Sequence, residues 1–400
     1  MRKQLLISAL ILLFLLAGTT IVVLYGKGYR FGFNRGTIDL SRTGLLVATS
    51  TPDGAQVFIN DHLTTATDNT INLAPGEYTV RIFKEGYFPW EKKIKIQKEV
   101  VAKAEALLFP AAPKLESITI TGAVRPVLDP SQTKLAYVVA SQSARKNGIY
   151  ILDMSARPVL TLQSASTQIA DDTIDTLSLA SLTWSPDARQ IVATIAGELR
   201  TTTYLLTATD FNEAPQDITA TLETYHSLWE EEKQEEETSR LTTLKPKLRN
   251  LISSYFSIVS WSPNETKILY QASTSATLPL AIEPRLVGID STPEQRNLKE
   301  GSLYIYDTKE DKNFDLGIEA NIETQGQSAL TWFSDSNHVI FVEDQKIRIM
   351  EYDGSNKTTL YAGPFVDNYV FPWPDGSKLT ILTHLGNLAV LPNLYTISLK

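Results

Sequence analysis

The sequence predicts a mainly β chain with an apolar N-terminal helix, a small antiparallel β-sandwich, and a larger body made of a repeated strand–turn–strand unit with one helical insertion. Three observations carry this. Residues 4–25 hold no charge and no proline. Between residues 44 and 109, short alternating runs are divided by Pro, Gly, Asn and Asp turns. Beyond residue 114, a unit of the type Trp-Ser-Pro-Asp recurs.

The first stretch is 22 residues long. As a helix at ~1.5 Å per residue it reaches ~33 Å, against an apolar bilayer slab of ~30 Å. Residues 1–25 are therefore expected to be a cytoplasmic tail and a transmembrane helix, touching the lipid bilayer through residues 4–25. A cleaved signal peptide has a shorter apolar core and a small-residue cleavage site. Here Ala17-Gly18-Thr19 lies inside the apolar run, and no Ala-x-Ala follows. A lipoprotein signal needs a cysteine, and the chain has none. Arg2 and Lys3 precede the span and Lys27, Arg30, Arg35 and Arg42 follow it, so the positive-inside count is nearly balanced. Long domains translocate largely regardless of charge, which gives a single-pass cell-membrane protein with its bulk extracytoplasmic. The basic residues read equally as a solvated collar or as a contact for lipid headgroups or an anionic wall polymer.

Four hundred residues suggest two or three folded units. Residues 1–45 carry six basic side chains and one acidic, Asp39, so +5 of a chain total of −8. The remainder therefore carries −13, which argues against nucleic-acid binding. The absence of cysteine removes disulfides, thiolate zinc sites and cysteine nucleophiles. An apolar fraction of 43% is enough to build cores from burial alone.

Residues 26–43, rich in Gly, Arg and aromatics, read as a short extended juxtamembrane stalk. From Gly44 the pattern becomes strands. Leu45-Leu46-Val47-Ala48-Thr49 is followed by the turn Thr51-Pro52-Asp53-Gly54, where proline presets φ and glycine accepts a positive φ. Gln56-Val57-Phe58-Ile59 closes on Asn60-Asp61, and Ala74-Pro75-Gly76-Glu77 turns into the alternating strand Tyr78-Thr79-Val80-Arg81-Ile82-Phe83. Trp90 to Ile96 alternates again. Residues 44–109 thus form the sandwich. The order Pro52-x-Gly54-x-x-Val57-x-Ile59, Leu73-x-Pro75-Gly76-Glu77-Tyr78-x-Val80 and Gly86-Tyr87 resembles the PEGA domain of bacterial and archaeal surface proteins. The resemblance implies an extracytoplasmic, wall-proximal module without catalysis. Tyr87 and Trp90 read as core, with ligand stacking as the other reading.

Two prolines keep the linker, residues 110–114, extended. Then Leu128-Asp129-Pro130-Ser131, Trp184-Ser185-Pro186-Asp187, Trp261-Ser262-Pro263-Asn264, Trp332-Phe333-Ser334-Asp335 and Pro372-Trp373-Pro374-Asp375 each stand before a β-branched or leucine run. The last slips its tryptophan by one position. A bulky residue ends one strand in the core, Pro and Asp or Asn make the turn, and the next strand follows. Repeated, this describes β-propeller blades, and the unit is similar to that of the TolB-like, WD-repeat-like propellers. Residues 115–400 are expected to form five to seven blades. Closure is expected by pairing of residues 115–121 with residues 394–399, since a closed ring leaves no free sheet edge.

The spacing between units leaves room for insertions. Residues 211–257 carry the run Glu230-Glu231-Glu232-Lys233-Gln234-Glu235-Glu236-Glu237, and Leu241, Leu244, Leu248 and Leu251 keep helical spacing. This reads as a helical hairpin whose acidic run is a solvated face or a dock for a basic partner. Residues 273–299, with Pro279, Pro284 and Pro293, read as a loop.

No catalytic, cofactor or metal site emerges. His62, His226, His338 and His384 do not stand at metal-ligand spacing and read as surface or turn residues. Ser131-Gln132-Thr133-Lys134 matches a Ser-x-x-Lys tetrad, but its serine belongs to the repeat's turn and no Lys-Thr-Gly accompanies it. Asp171, Asp172 and Asp175 lack the alternating spacing and glycine of a calcium loop. The expectation is a membrane-anchored, non-enzymatic surface protein whose sandwich is a spacer and whose propeller meets a cell-envelope protein or glycan. The alternative is an enzyme with its site in the propeller's central channel. A transmembrane sensor is disfavoured by the short cytoplasmic tail.

Overall fold

A computed structural model of the chain describes residues 2–26, 29–34, 37–155, 166–198, 200–288, 290–318 and 330–400. Side chains of residues 2–6, 24–26, 29–34 and 37–42 are not described. Lys27 and Arg35 of the basic cluster thus lie outside the described residues, and the side chains of Arg2, Lys3, Arg30 and Arg42 are likewise outside. The chain forms two compact units, one of residues 1–109 with 282–293, the other of residues 110–281 with 294–400.

In the first unit, α1 (Arg2–Gly26) takes up the apolar stretch. Its described side chains, residues 7–23, are exposed throughout. They span ~25 Å at 1.5 Å per residue. Among the described residues, no helix is long and apolar enough to cross a membrane. Residues expected as an extended stalk instead fold back as a hairpin of β1 (Tyr29–Asn34) and β2 (Thr37–Arg42), with Tyr29 opposite Arg42.

The sandwich follows as β3 (Gly44–Thr51), β4 (Gln56–Ile59), β5 (His62–Ala66), β6 (Asn69–Leu73), β7 (Gly76–Phe83), β8 (Trp90–Ile96) and β9 (Val101–Leu107). One sheet has the order β6-β3-β9 and the other β5-β4-β7-β8. The core between them includes Leu46, Val57, Val80, Ile82, Trp90, Ile94 and Ile96, all buried. The alternation of Trp90, Ile94 and Ile96 with exposed Glu91, Lys93 and Lys95 makes β8 a half-buried strand. The sandwich is not wholly antiparallel, because β9 runs parallel to β3, from Leu45 opposite Val101 to Thr51 opposite Leu107. The chain changes sheets between β8 and β9, so β9 meets β3 in the same direction.

The second unit opens with β10 (Leu115–Ser117) and continues through four-stranded antiparallel meanders. The first is β11 (Val124–Leu128), β12 (Lys134–Val139), β13 (Gly148–Asp153) and β14 (Ser166–Asp171). The second is β15 (Ser181–Trp184), β16 (Gln190–Ala196), β17 (Thr201–Thr207) and β18 (Gln216–Asp217). After α2 (Leu222–Thr243) and α3 (Pro246–Tyr255), the third is β19 (Phe256–Trp261), β20 (Lys267–Ala272), β21 (Leu303–Asp307) and β22 (Lys312–Asp315). The fourth is β23 (Leu330–Trp332), β24 (His338–Glu343), β25 (Lys346–Glu351) and β26 (Thr358–Tyr361). The fifth is β27 (Val370–Pro372), β28 (Lys378–Thr383) and β29 (Asn393–Ser398), completed by β10, which sets Leu115 opposite Ile397 and Ser117 opposite Tyr395. Five meanders among the described residues, the last closed by the unit's first strand, make a β-propeller with no unpaired edge at the junction.

The helical insertion shows why one spacing can span two helices. Leu244 caps α2 in an extended conformation, and Pro246 opens α3. Proline disfavours helix at the residue before it and suits the first turn after it. Leu241, Leu244, Leu248 and Leu251 still face one core, with Tyr270, Tyr304 and Tyr306 of the third sheet.

Candidate functional site

The repeated turn is the propeller's structural constant. The residue after the first strand donates its amide to the carbonyl five positions on: Asp129 to Lys134, Ser185 to Gln190, Ser262 to Lys267, Phe333 to His338 and Trp373 to Lys378, at 2.9, 2.9, 2.9, 2.9 and 3.0 Å. The same place in each turn takes a positive φ: Gln132 (57°), Ala188 (57°), Glu265 (56°), Ser336 (62°) and Gly376 (65°). In the fifth copy, Pro372 therefore occupies the position of Trp184, Trp261 and Trp332, and Trp373 that of Ser185.

These turns also join the sheets. Trp184 Nε1 donates to the Val127 carbonyl at 3.0 Å, from second sheet to first. The Asn264 amide donates to Ser336 Oγ at 3.0 Å, and Lys267 Nζ to Asn337 Oδ1 at 3.1 Å, from third sheet to fourth. The Lys267 ammonium also stands 4.4 Å from the centre of the Tyr352 ring. Burial pushes the Lys267 pKa down, against the pull of Asp307 and Asp335.

His338 is not a surface residue. It is 4% exposed, and its Nδ1 lies 2.6 Å from Asp335 Oδ2. Burial works against its charged form, but the Asp335 hydrogen bond and charge, with Glu351 and Asp353, hold its pKa above the ordinary imidazole value. Burial likewise opposes ionisation of Asp335, and His338 with the Asn337 and His338 amides outweighs it, so this carboxyl stays below its usual range.

The other residues weighed for chemistry are brought together with no partner set. His62 is exposed on β5. His226 stands edge-on to Trp229 at 6.5 Å, and His384 Nδ1 lies 2.8 Å from the Val390 carbonyl. Ser131 hydrogen-bonds Asp129 and Thr133 within its turn. Asp171 accepts from Thr173, Asp172 from Ser178, and Asp175 from Thr176 and Tyr204. Among the described residues no group of three or more acidic or histidine side chains is placed to hold a metal ion. Trp90 is buried and Tyr87 packs against the sandwich core.

In the propeller, the first strands of the first two meanders, β11 and β15, lie against each other. β11, β15, β19, β23 and β27 contain no Asp, Glu, His or Lys. Their one charged side chain is Arg125, which donates to the Ser178 carbonyl at 3.0 Å.

The two ends of the meanders differ sharply. The repeated turns all lie at one end. The connections between second and third strands, and from fourth strand to the next sheet, lie at the other. That second end holds α2 and α3, the long loop of the third sheet, and exposed Ile120, Ile174, Leu179, Leu385, Leu388, Val390 and Leu391. Ile120 is 88% and Leu388 84% exposed. A Cβ on Gly122 would stand 3.1 Å from Leu391, which brings residues 120–122 beside the 384–391 loop. Only single-face alternation was legible beforehand; this clustering arises from topology.

Fold and surface together define a mainly β protein built of a sandwich and a propeller. Residues 43–110 match the PEGA domain. No curated protein matches it. Among solved structures it is similar to a putative TolB from Agrobacterium tumefaciens, at 14% identity over 70% of this chain and 73% of that one, with a TM-score of 0.22. It is also similar to TolB from Acinetobacter baumannii, at 13% identity over 80% of this chain and 59% of that one, TM-score 0.18. A third is the β-propeller domain of the Trilobed protease from Pyrococcus furiosus, at 15% identity over 89% and 96%, TM-score 0.23. The propeller assignment stands on the sheet order and the fivefold turn, not on these loose superpositions.

Proposed function

We propose that this chain is a membrane-anchored, extracytoplasmic, non-enzymatic surface protein. The PEGA domain is a spacer, and the propeller offers its loop-bearing end to a cell-envelope protein or glycan. The observation that carries this reading is the segregation of exposed large apolar side chains. Those of the propeller lie at the loop end, Phe211 excepted, while the turn end is closed by hydrogen bonds between sheets. Scattered exposed apolar residues are ordinary, whereas a grouped set marks a contact surface.

Anchoring is supported by α1 as a whole. Its 25 residues reach ~37 Å, and the apolar side chains described, between Ile7 and Val23, are exposed, which suits lipid rather than water. A photo-crosslinker placed at Leu388 tests the reading against one placed at Arg189, an exposed position of a repeated turn. Adducts with envelope material are expected from Leu388 alone. Adducts from Arg189 alone, or equally from both, would reject the loop end as the binding face. Protease shaving of intact cells that left the propeller whole would reject the orientation.

A further inference from the structure

The first unit includes a piece from far along the chain, residues 282–293, which leave the third sheet's long loop and return to it. The polypeptide therefore passes between the units at 109/110, 281/282 and 293/294. Within the first unit this piece meets β8, which among the described residues is the last strand of the sheet order β5-β4-β7-β8. Lys92 Nζ lies 3.1 Å from Asp290 Oδ2, with the two side chains 13% and 10% exposed. The Lys95 amide, on the open side of β8, donates to Ser291 Oγ at 2.9 Å. Asp290 Oδ1 accepts from the Thr292 amide at 2.9 Å, which sets the local turn. Gly288 has φ +75°, and a Cβ there would come within 2.8 Å of Val100 Cγ1.

The base of the loop is fixed just as firmly, in the second unit. Asp311 accepts from Arg296 Nη2 at 2.7 Å, from the Tyr306 hydroxyl at 2.6 Å and from the Ala281 amide at 2.7 Å. The Thr277–Asn297 bridge joins the two arms below it.

We propose that the open edge of β8 is a docking surface whose occupant is this chain's own Gly288, Asp290, Ser291 and Thr292. An unpaired strand edge invites pairing with another chain, and proteins cover or charge such edges. β8 presents Lys92, Lys93 and Lys95, a basic edge that favours an acidic segment over a second β8. Asp290 supplies the acid and Ser291 the acceptor that a neighbouring strand would supply, while Gly288 allows the close approach to Val100, just past the end of β8. The sandwich is thus completed by a segment delivered from the propeller's sequence, so linker and loop both hold it. The proposal is independent of membrane anchoring.

The test uses the full-length chain in detergent with a specific protease sequence placed between Ala111 and Ala112, both exposed. Once cut there, the N-terminal piece stays with residues 112–400 only by non-covalent contact. Co-elution on size exclusion is expected, with a D290A S291A variant losing the N-terminal piece about tenfold faster. The exchanged pair K92D D290K is expected to restore retention. Far-UV circular dichroism before cutting shows that each variant is folded. Separation of the two pieces without any substitution, or unchanged retention in D290A S291A, overturns the proposal. Failure of the exchanged pair to restore retention overturns the role given to charge.

Discussion

Trp184 and Val127, 57 residues apart, are joined by an indole N–H donated to a carbonyl at 3.0 Å. Here the ring fills the space between sheets, and its one polar atom fastens the second sheet to the first. Trp261 and Trp332 fill equivalent places, but their buried Nε1 atoms have no hydrogen-bond partner. W184F leaves a part-buried carbonyl without its donor and is expected to cost about 1–3 kcal/mol. W332F removes a donor that gains nothing and is expected to cost about 1 kcal/mol less. Paired urea denaturation curves check this; equal losses would mean that volume alone matters.

The fivefold left-handed turn position predicts opposite effects from two small substitutions. Ala188 has φ +57°, and its methyl group, although buried, offers little area to set against that strain. A left-handed conformation costs a residue with a Cβ about 1 kcal/mol or more. Greater freedom of glycine in the unfolded chain returns part of that. A188G is thus expected to be neutral or to stabilise by up to about 1 kcal/mol. Gly376 has φ +65°, and its Cβ would meet Ser334 Oγ at 2.7 Å and Phe333 Cζ at 3.1 Å. G376A is expected to destabilise by about 1–3 kcal/mol, combining backbone strain with overpacking. Thermal unfolding of the two variants side by side decides it.

Much of this was legible beforehand, and the reasons are local. Pro52, Gly54, Pro75 and Gly76 impose turns whatever lies around them, so the sandwich could be read from residues 44–109. Trp-Ser-Pro-Asp announces its strand–turn–strand unit, and even the slipped Trp373 marked the fifth copy. What escaped depends on partners distant in sequence or on topology. Lys92 and Asp290 are 198 positions apart, and nothing periodic surrounds Asp290. The parallel β3–β9 pair and the single-ended display of Leu385, Leu388 and Ile120 follow from sheet order, which alternation does not encode. His338 was misplaced at the surface because its neighbours Ser334, Asp335, Ser336 and Asn337 read as a polar turn, while its ring turns in against Asp335 and edge-on to Phe333.

The His338–Asp335 pair predicts a specific pH dependence. The folded imidazole pKa lies above the unfolded value of ~6.5. Its contribution is therefore full below that value and disappears as pH rises through the folded pKa. The Asp335 carboxyl is held below its unfolded value of ~3.9, so its contribution is present above that value and is lost on acidification through the folded pKa. The pair is most stabilising between about pH 4 and 6.5. The unfolding midpoint is expected to fall from pH 6 to pH 8.5 more steeply in the unmodified chain than in H338Q. Parallel slopes for the two would rule out His338 as the titrating group.

Asp311 is the most heavily used carboxylate at the base of the long loop, and its loss should be felt well beyond one bond. It is 3% exposed and serves Arg296, the Tyr306 hydroxyl and the Ala281 amide together. Burial opposes the Arg296 charge, yet Asp311 and Glu294 hold its pKa above the ordinary guanidinium value. Burial, reinforced by Asp311, pushes the Tyr306 hydroxyl up as well. D311A would leave a largely buried guanidinium without its main counter-charge and a buried hydroxyl without its acceptor, an expected cost of about 3–5 kcal/mol. D311N keeps the shape and an acceptor but not the charge, so its cost is expected to be about half that. Because Ala281 and Arg296 flank residues 282–293, loosening this base should also speed trypsin cleavage after the exposed Arg285. Denaturant midpoints and cleavage rates for D311A and D311N are expected to rank together. A D311A chain that unfolds late and resists trypsin as well as the unmodified chain would show that the hydrophobic contacts of Leu278, Leu298 and Tyr304 hold the loop base without help from the ionic network.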